Sequence, residues 1–211
     1  LTVDVNTGAT YASGDLQEQI SDKVTLNPDG SAYHNLTITY AYPWVKHSYG
    51  SIYSGAVQQG EDPWQYTGVL LVMVPQSAAF DGGSNCGWPF PLQPVETNRQ
   101  VWGCAPIYVN CNACNLDGTS NGATPQTTTL VLNWLVPGAV TTSGSTHTYN
   151  LALVHEAGSH PAVTVTIVTA NGQTLTSASS SNPPLSQANG GIQFSTKLLA
   201  TDQDITVSYK G

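Results

Sequence analysis

HNLTITYAY, residues 34–42, is the stretch whose reading decides the fold. Leu36, Ile38, Tyr40 and Tyr42 alternate with Thr37, Thr39 and Ala41. A period of two puts the first set on a buried face and the second on a wet one, which is the pattern of a strand and not of a helix. Six further stretches are rich in the Thr, Val, Ile and Tyr that fit a pleated, half-buried surface. They are TGVLLVMV (67–74), TTTLVLNWLV (127–136), HTYNLALVH (147–155), AVTVTIVTA (162–170), GIQFSTKLL (191–199) and DITVSYK (204–210). AVTVTIV alternates as NLTITYAY does. GVLLVMV and LVLNWLV are more continuously apolar, which predicts positions in the middle of a sandwich. Asn171-Gly172, between AVTVTIVTA and QTLTSA, predicts a hairpin with a type I′ turn. SGDLQEQISDKV (13–24) suits one or two helical turns, with Ser13 as N-cap, or equally a strand.

Strands separated by Gly, Pro and Ser turns predict an all-β, antiparallel sandwich of jelly-roll or immunoglobulin-like kind. Two long stretches interrupt the pattern. The first is 42–66. The second, 76–125, is rich in Cys, Pro and Trp and reads as a loop excursion from the sandwich, stapled by disulfides, and not as a separate domain. The expected organisation is an N-terminal strand over 1–10 and a single sandwich domain over 11–211. No internal repeat is visible.

Only 9% of the 211 residues are charged, and the formal net charge is −8. An ordinary soluble domain carries about 25%. The five cations, Lys23, Lys46, Arg99, Lys197 and Lys210, form no basic stripe. That excludes nucleic acid as a partner and disfavours an anionic membrane surface. No apolar run is long enough to span a bilayer as a helix, so no membrane insertion is expected. A surface solvated by hydroxyls and amides suits an extracellular or cell-surface protein. The start at Leu1 predicts a mature chain whose signal peptide has been removed.

Cys86, Cys104, Cys111 and Cys114 fall within one 29-residue window. An even, clustered count favours two disulfides, with three pairings open. A zinc site is the rival reading. It is disfavoured because one C-x-x-C (111–114) stands alone while Cys86 and Cys104 are 18 apart.

Other motifs fail on context. HEAGSH (155–160) places His155 and His160 five apart, where a zinc-binding helix face needs four. NLDGTSNG (115–122) has Ala113 and Thr124 where a calcium loop needs acids. Ser120 in GTSNG lacks the strand-to-helix turn of a nucleophile elbow. Asp81-Gly82-Gly83 and Asn189-Gly190-Gly191 read as turns. Glu61, Asp62 and Glu96 are acids in loops near Trp64, Trp88 and Trp102, but no motif pairs them for glycoside hydrolysis. Neither catalysis nor a cofactor or metal is expected. The tryptophans read first as loop packing and second as a sugar-binding platform. Asn35-Leu36-Thr37 is the one glycosylation sequon.

The chain opens LTVDVNTGAT. Leu1, Val3 and Val5 alternate with Thr2, Asp4 and Asn6. Such a strand has two fates. It can be an edge strand of its own sandwich, which the pattern alone prefers. It can also leave and complete a neighbour's sheet, with Gly8 as the hinge, and a heterologous contact repeated head to tail makes a filament.

Ala9-Thr10-Tyr11-Ala12-Ser13-Gly14-Asp15-Leu16 resembles the signature near the mature start of the TasA/camelysin-type biofilm matrix proteins. Val24-Thr25-Leu26-Asn27-Pro28-Asp29-Gly30 resembles the next strand and turn of that family, and HNLTITYAY follows in place. The low-charge, cysteine-bearing composition is closer to their relatives, the archaeal bundling pilins. The resemblance covers about the first 40 residues. It implies a jelly-roll sandwich, export, and filaments joined by an N-terminal donor strand. The expectation is therefore a non-enzymatic structural subunit whose partners are copies of itself, in a head-to-tail homopolymer and in lateral bundles. Leu1, Val3 and Val5 would be the donor strand's knobs. Tyr49, Tyr53, Trp64 and Trp88 would make the lateral contacts. The alternative is a secreted carbohydrate-binding or adhesive β-sandwich module.

Overall fold

The computed structural model describes residues 2–6, 17–41, 65–84, 86–89, 99–110, 127–154, 161–170, 173–181, 185–188, 191–197 and 199–211. The architecture is all-β, and no helix occurs among the described residues. The strands are β1 (Thr2–Asn6), β2 (Gln17–Leu26), β3 (Ala32–Ala41), β4 (Gln65–Pro75), β5 (Ala79–Ser84), β6 (Cys86–Pro89), β7 (Arg99–Asn110) and β8 (Thr127–Val136). They continue with β9 (Val140–Ser143), β10 (Thr146–Leu153), β11 (Ala162–Thr169), β12 (Thr174–Ser180), β13 (Ser186–Ala188), β14 (Gly191–Thr196) and β15 (Gln203–Lys210).

Three sheets form. One has seven strands in the order β13-β14-β11-β2-β3-β8-β5. The other two have four each, β1-β4-β7-β6 and β12-β15-β10-β9. Alternating burial along β3 turns Ala32, His34, Leu36, Ile38 and Tyr40 inward. The inward residues build two cores. Leu36, Ile38 and Leu132 join Leu70, Val72 and Trp102 in the first, between the seven-stranded sheet and the β4/β7 sheet. Val24, Val165 and Phe194 join Tyr149, Val207 and Tyr209 in the second, against the β10/β15 sheet. Each such aliphatic side chain contributes about 1.5–3 kcal/mol on burial. Ile20 and Ala139 pack against both cores and mark the seam between them.

The β2–β3 connection shows how local chemistry sets a turn. Asn27 N–H donates to Ser31 O at 2.9 Å, and Gly30 N–H to Asn27 O at 3.1 Å. Gly30 has φ 80°, which a residue without Cβ adopts at little cost. Asp29 Oδ1 accepts from Ser31 N–H at 2.9 Å and from Ser31 Oγ–H at 2.6 Å.

Several expectations are corrected. The span 17–24 is strand, settling the helix-or-strand alternative there. The pairing is not wholly antiparallel, because β11 runs parallel to β2 from Ala162↔Gln19 to Thr169↔Leu26. The Asn171-Gly172 residues lie outside the described ones, but the strands they join make no hairpin. β11 pairs with β2 and β14, while β12 pairs with β15 in another sheet. Gln173 N–H donates to Ala170 O at 3.2 Å, and the strands on either side of that bond belong to different sheets. Asp81-Gly82-Gly83 is no turn. It lies within β5, where the register shifts between Phe80 and Gly83 as in a bulge. The 76–125 stretch is not a loop excursion throughout, for it holds β5, β6 and the twelve-residue β7.

Candidate functional site

The first element of the site is the joint made by β1. It pairs antiparallel with β4, with Thr2 opposite Val72, Val3 opposite Leu71, Val5 opposite Val69 and Asn6 opposite Gly68. β4 carries β7 on its other flank, so β1 stands at the edge of its sheet. Leu1 and Gly8 lie outside the described residues.

The second element is a cavity of about 450 Å³ at the seam between the cores. Its floor is Ile20, Leu36, Val163 and Val165 of the seven-stranded sheet. Its walls are Val72–Pro75 of β4 and Asn150–Leu153 of β10. Both walls are strand edges. β1 covers β4 only as far as Val72. β9 covers β10 only as far as Tyr149. Beyond those points, no partner strand occupies these flanks among the described residues. The cavity therefore has an apolar floor, and its walls are stretches of β4 and β10 that carry a partner strand on one flank only among the described residues.

A polar cluster sits in the cavity's inner wall. His34 Nδ1 lies 2.8 Å from Asp22 Oδ2, and Tyr149 Oη lies 3.2 Å from His34 Nε2. A carboxylate only accepts, so Nδ1–H donates to Asp22. In the neutral ring Nε2 then accepts from the Tyr149 hydroxyl. Burial holds the Tyr149 phenol far above its ordinary value, and the Asp22 charge adds to the effect. The imidazole stacks on Trp134 with centroids 4.5 Å apart and planes 6° from parallel. Asp22 is on β2, His34 on β3, Trp134 on β8 and Tyr149 on β10, so the cluster ties the seven-stranded sheet to the sheet above it.

Sequence reasoning passed over all four of these residues. The signal was there. Ile20, Asp22, Val24 and Leu26 fall on one face of β2, and a carboxylate in that series needs a buried partner. His34 occupies the same phase as Leu36 and Ile38 on the strand that defined the fold.

The residues singled out from sequence are dispersed. Tyr49, Tyr53, Trp64, Cys111 and Cys114 lie outside the described residues, as do Glu61, Asp62, Glu96, Ser120, His155 and His160. Trp88 and Cys86 are on β6, and Cys104 is on β7 with 0% exposure. The register sets Cys86 opposite Cys104. No cysteine among the described residues is free. Trp102 is buried in the first core, where it packs and offers no platform. The Asn35 amide nitrogen, where a glycan would attach, donates to Asn133 Oδ1 across the β3–β8 ladder. Among the described residues, no three His, Cys, Asp or Glu side chains gather as metal ligands.

No family model and no curated protein matches the chain. Among solved structures, it is similar to an M1 zinc metallopeptidase from Deinococcus radiodurans, at TM-score 0.39 and 12% identity over 92% of this chain. The chain spans 42% of that peptidase's length. It is also similar to the Fcho1 Mu homology domain of Danio rerio, at TM-score 0.25 and 10% identity, over 92% of this chain and 78% of that one. Likenesses this slight carry no argument about activity.

Proposed function

We propose that the chain is a structural subunit of an extracellular filament that polymerises by donor-strand complementation. In this reading, residues 1–10 of one copy leave their own sheet and pair with β4 of the next. The observation that supports it most is the position of β1. It is an edge strand of its sheet, laid on β4 through a five-residue ladder. Exchange between copies keeps every pair of that ladder, so the closed monomer and the open polymer differ little in contact energy. The contact is heterologous and does not close on itself, which yields a fibre.

The seam cavity extends the same reading. A groove with an apolar floor, walled by strand flanks that carry no partner among the described residues, suits main-chain pairing with alternate side chains in pockets. The sandwich is then of jelly-roll kind. A Cys86–Cys104 disulfide would tie β6 to β7, since residues directly opposite in an antiparallel pair lie about 4.5–5.5 Å apart at Cα, within disulfide range. Tyr49, Tyr53, Trp64 and Trp88 remain the residues proposed for lateral bundling.

The register supplies the test. Val3 stands opposite Leu71. A Val3→Cys, Leu71→Cys double variant, oxidised and run on a non-reducing gel, should give a ladder of multimers. Cross-linked monomers alone, under conditions in which the wild type is filamentous, would refute the donor assignment.

A further inference from the structure

Five rings follow one another at centroid spacings of 4.5–6.5 Å. Phe80 is 43% exposed and meets Trp102 edge-on, with centroids 5.9 Å apart. Trp102 meets Trp134 edge-on at 6.3 Å. Trp134 lies flat on His34 at 4.5 Å, and the His34 and Tyr149 centroids are 6.5 Å apart. Ordinary core packing accounts for rings that touch. It does not account for what stands at the inner end. There a buried phenol has a base at its proton, and the base has a carboxylate behind it.

That arrangement suits one chemistry in particular. A phenol that loses an electron becomes a strong acid, so its oxidation is easy only where a proton acceptor is already in place. His34 Nε2 is within hydrogen-bond reach of that proton, as proton transfer requires. Asp22 then faces an imidazolium, and opposite charges at 2.8 Å stabilise each other strongly in a buried site. Burial also keeps the Tyr149 proton in place beforehand, so the proton does not leave ahead of the electron.

We propose that Tyr149 is a one-electron oxidation site, losing its electron through Trp134 and Trp102 to an oxidant at the Phe80 face and its proton to His34. The co-reactant is an outer-sphere one-electron oxidant, which takes up the electron and need not enter the fold. The Tyr149 O–H bond breaks, a neutral tyrosyl radical remains, and the N–H bond forms on His34 Nε2. Asp22 keeps its bond from Nδ1–H throughout. The site would draw oxidising equivalents away from Met73, which lines the same cavity. This inference is independent of whether the chain polymerises.

The experiment is flash photolysis of the intact protein with photogenerated tris(bipyridine)ruthenium(III), read by electron paramagnetic resonance and transient absorption. The wild type should give a long-lived neutral tyrosyl radical that forms more slowly in D2O. Tyr149→Phe keeps the ring and removes the hydroxyl, and should abolish the long-lived signal. Equal yield and lifetime in Tyr149→Phe would overturn the proposal. Trp102→Phe leaves the Tyr149, His34 and Asp22 groups untouched and should slow radical formation. An unchanged rate in that variant would overturn the assigned route.

Discussion

Asp22 and Asp29 are seven residues apart and live in opposite environments. Asp22 is 7% exposed, and its Oδ2 bonds to His34. Removing its carboxylate leaves the His34 Nδ1–H buried without an acceptor. Asp22→Ala should therefore cost about 1–3 kcal/mol, read from the midpoint of urea denaturation. A loss no larger than that of an exposed substitution would mean the pair is decoration. Asp29 is on the surface. The Ser31 hydroxyl, first, and the Ser31 backbone N–H hold its carboxyl below the ordinary value of 3.8. A depressed folded-state value means that the stabilisation is present above the unfolded value and is lost as pH falls through the folded one. Ser31→Ala removes the larger of these effects. The Asp29 carboxyl should then titrate closer to 3.8 by NMR, and an unchanged titration would put the cause elsewhere.

Elements show where a sequence is legible and where it is not. The strands read from the sequence coincide with β3, β4, β8, β10, β11, β14 and β15: β3, β11 and β15 through a period of two, β4 and β8 through a more continuous apolar run, and all seven through Thr, Val, Ile and Tyr content. β7 escaped because Gly103, Cys104 and Pro106 interrupt its apolar phase, and Pro is normally a strand breaker. It is a strand because β4 and β6 flank it. The sheet change after β11 was illegible for another reason. An Asn-Gly pair specifies a tight turn, and only tertiary packing decides whether the next strand returns to the same sheet. The His34 cluster was legible in principle, through polar residues in the buried phase, but its Tyr149 and Trp134 members come from strands that sequence cannot bring together. Asp81-Gly82-Gly83 fails in the same way. It looks like a turn, yet it forms a bulge because Gly83 must pass close to β8. A Cβ there would lie 2.2 Å from Val131 O. Backbone atoms cannot yield by that much, so Gly83→Ala should lower stability by about 1–3 kcal/mol. Gly138→Ala meets no atom within 4 Å, and its cost should come only from its φ of 63°. Comparing the two thermal midpoints separates a clash from a dihedral penalty. Equal losses would mean that β5 does not approach β8 so closely.

At the scale of the molecule, the question is whether two cores make one folding unit. Each four-stranded sheet covers its own half of the seven-stranded sheet, which could allow the halves to melt apart. β3 argues against that. Its Ala32 belongs to the second core, and its Leu36, Ile38 and Tyr40 belong to the first. The strand crosses the seam, and its ladders to β2 and β8 run along its whole length. Loss of either core would leave half of β3 paired but uncovered. The Tyr149–His34–Asp22 bonds add a second tie across the same line. Both Trp102 and Trp134 are in the first core, so tryptophan emission carries a report from that half. Ile167 is 1% exposed in the second. Truncation of such a side chain to Ala costs about 2–5 kcal/mol. If the halves are coupled, Ile167→Ala should shift the tryptophan-detected urea midpoint by as much as it shifts the midpoint seen by far-ultraviolet circular dichroism. Coincident transitions from separate probes are the mark of a single cooperative unit. A tryptophan transition that stays at the wild-type midpoint, while the circular dichroism splits in two, would instead make the seam a hinge between independently stable halves.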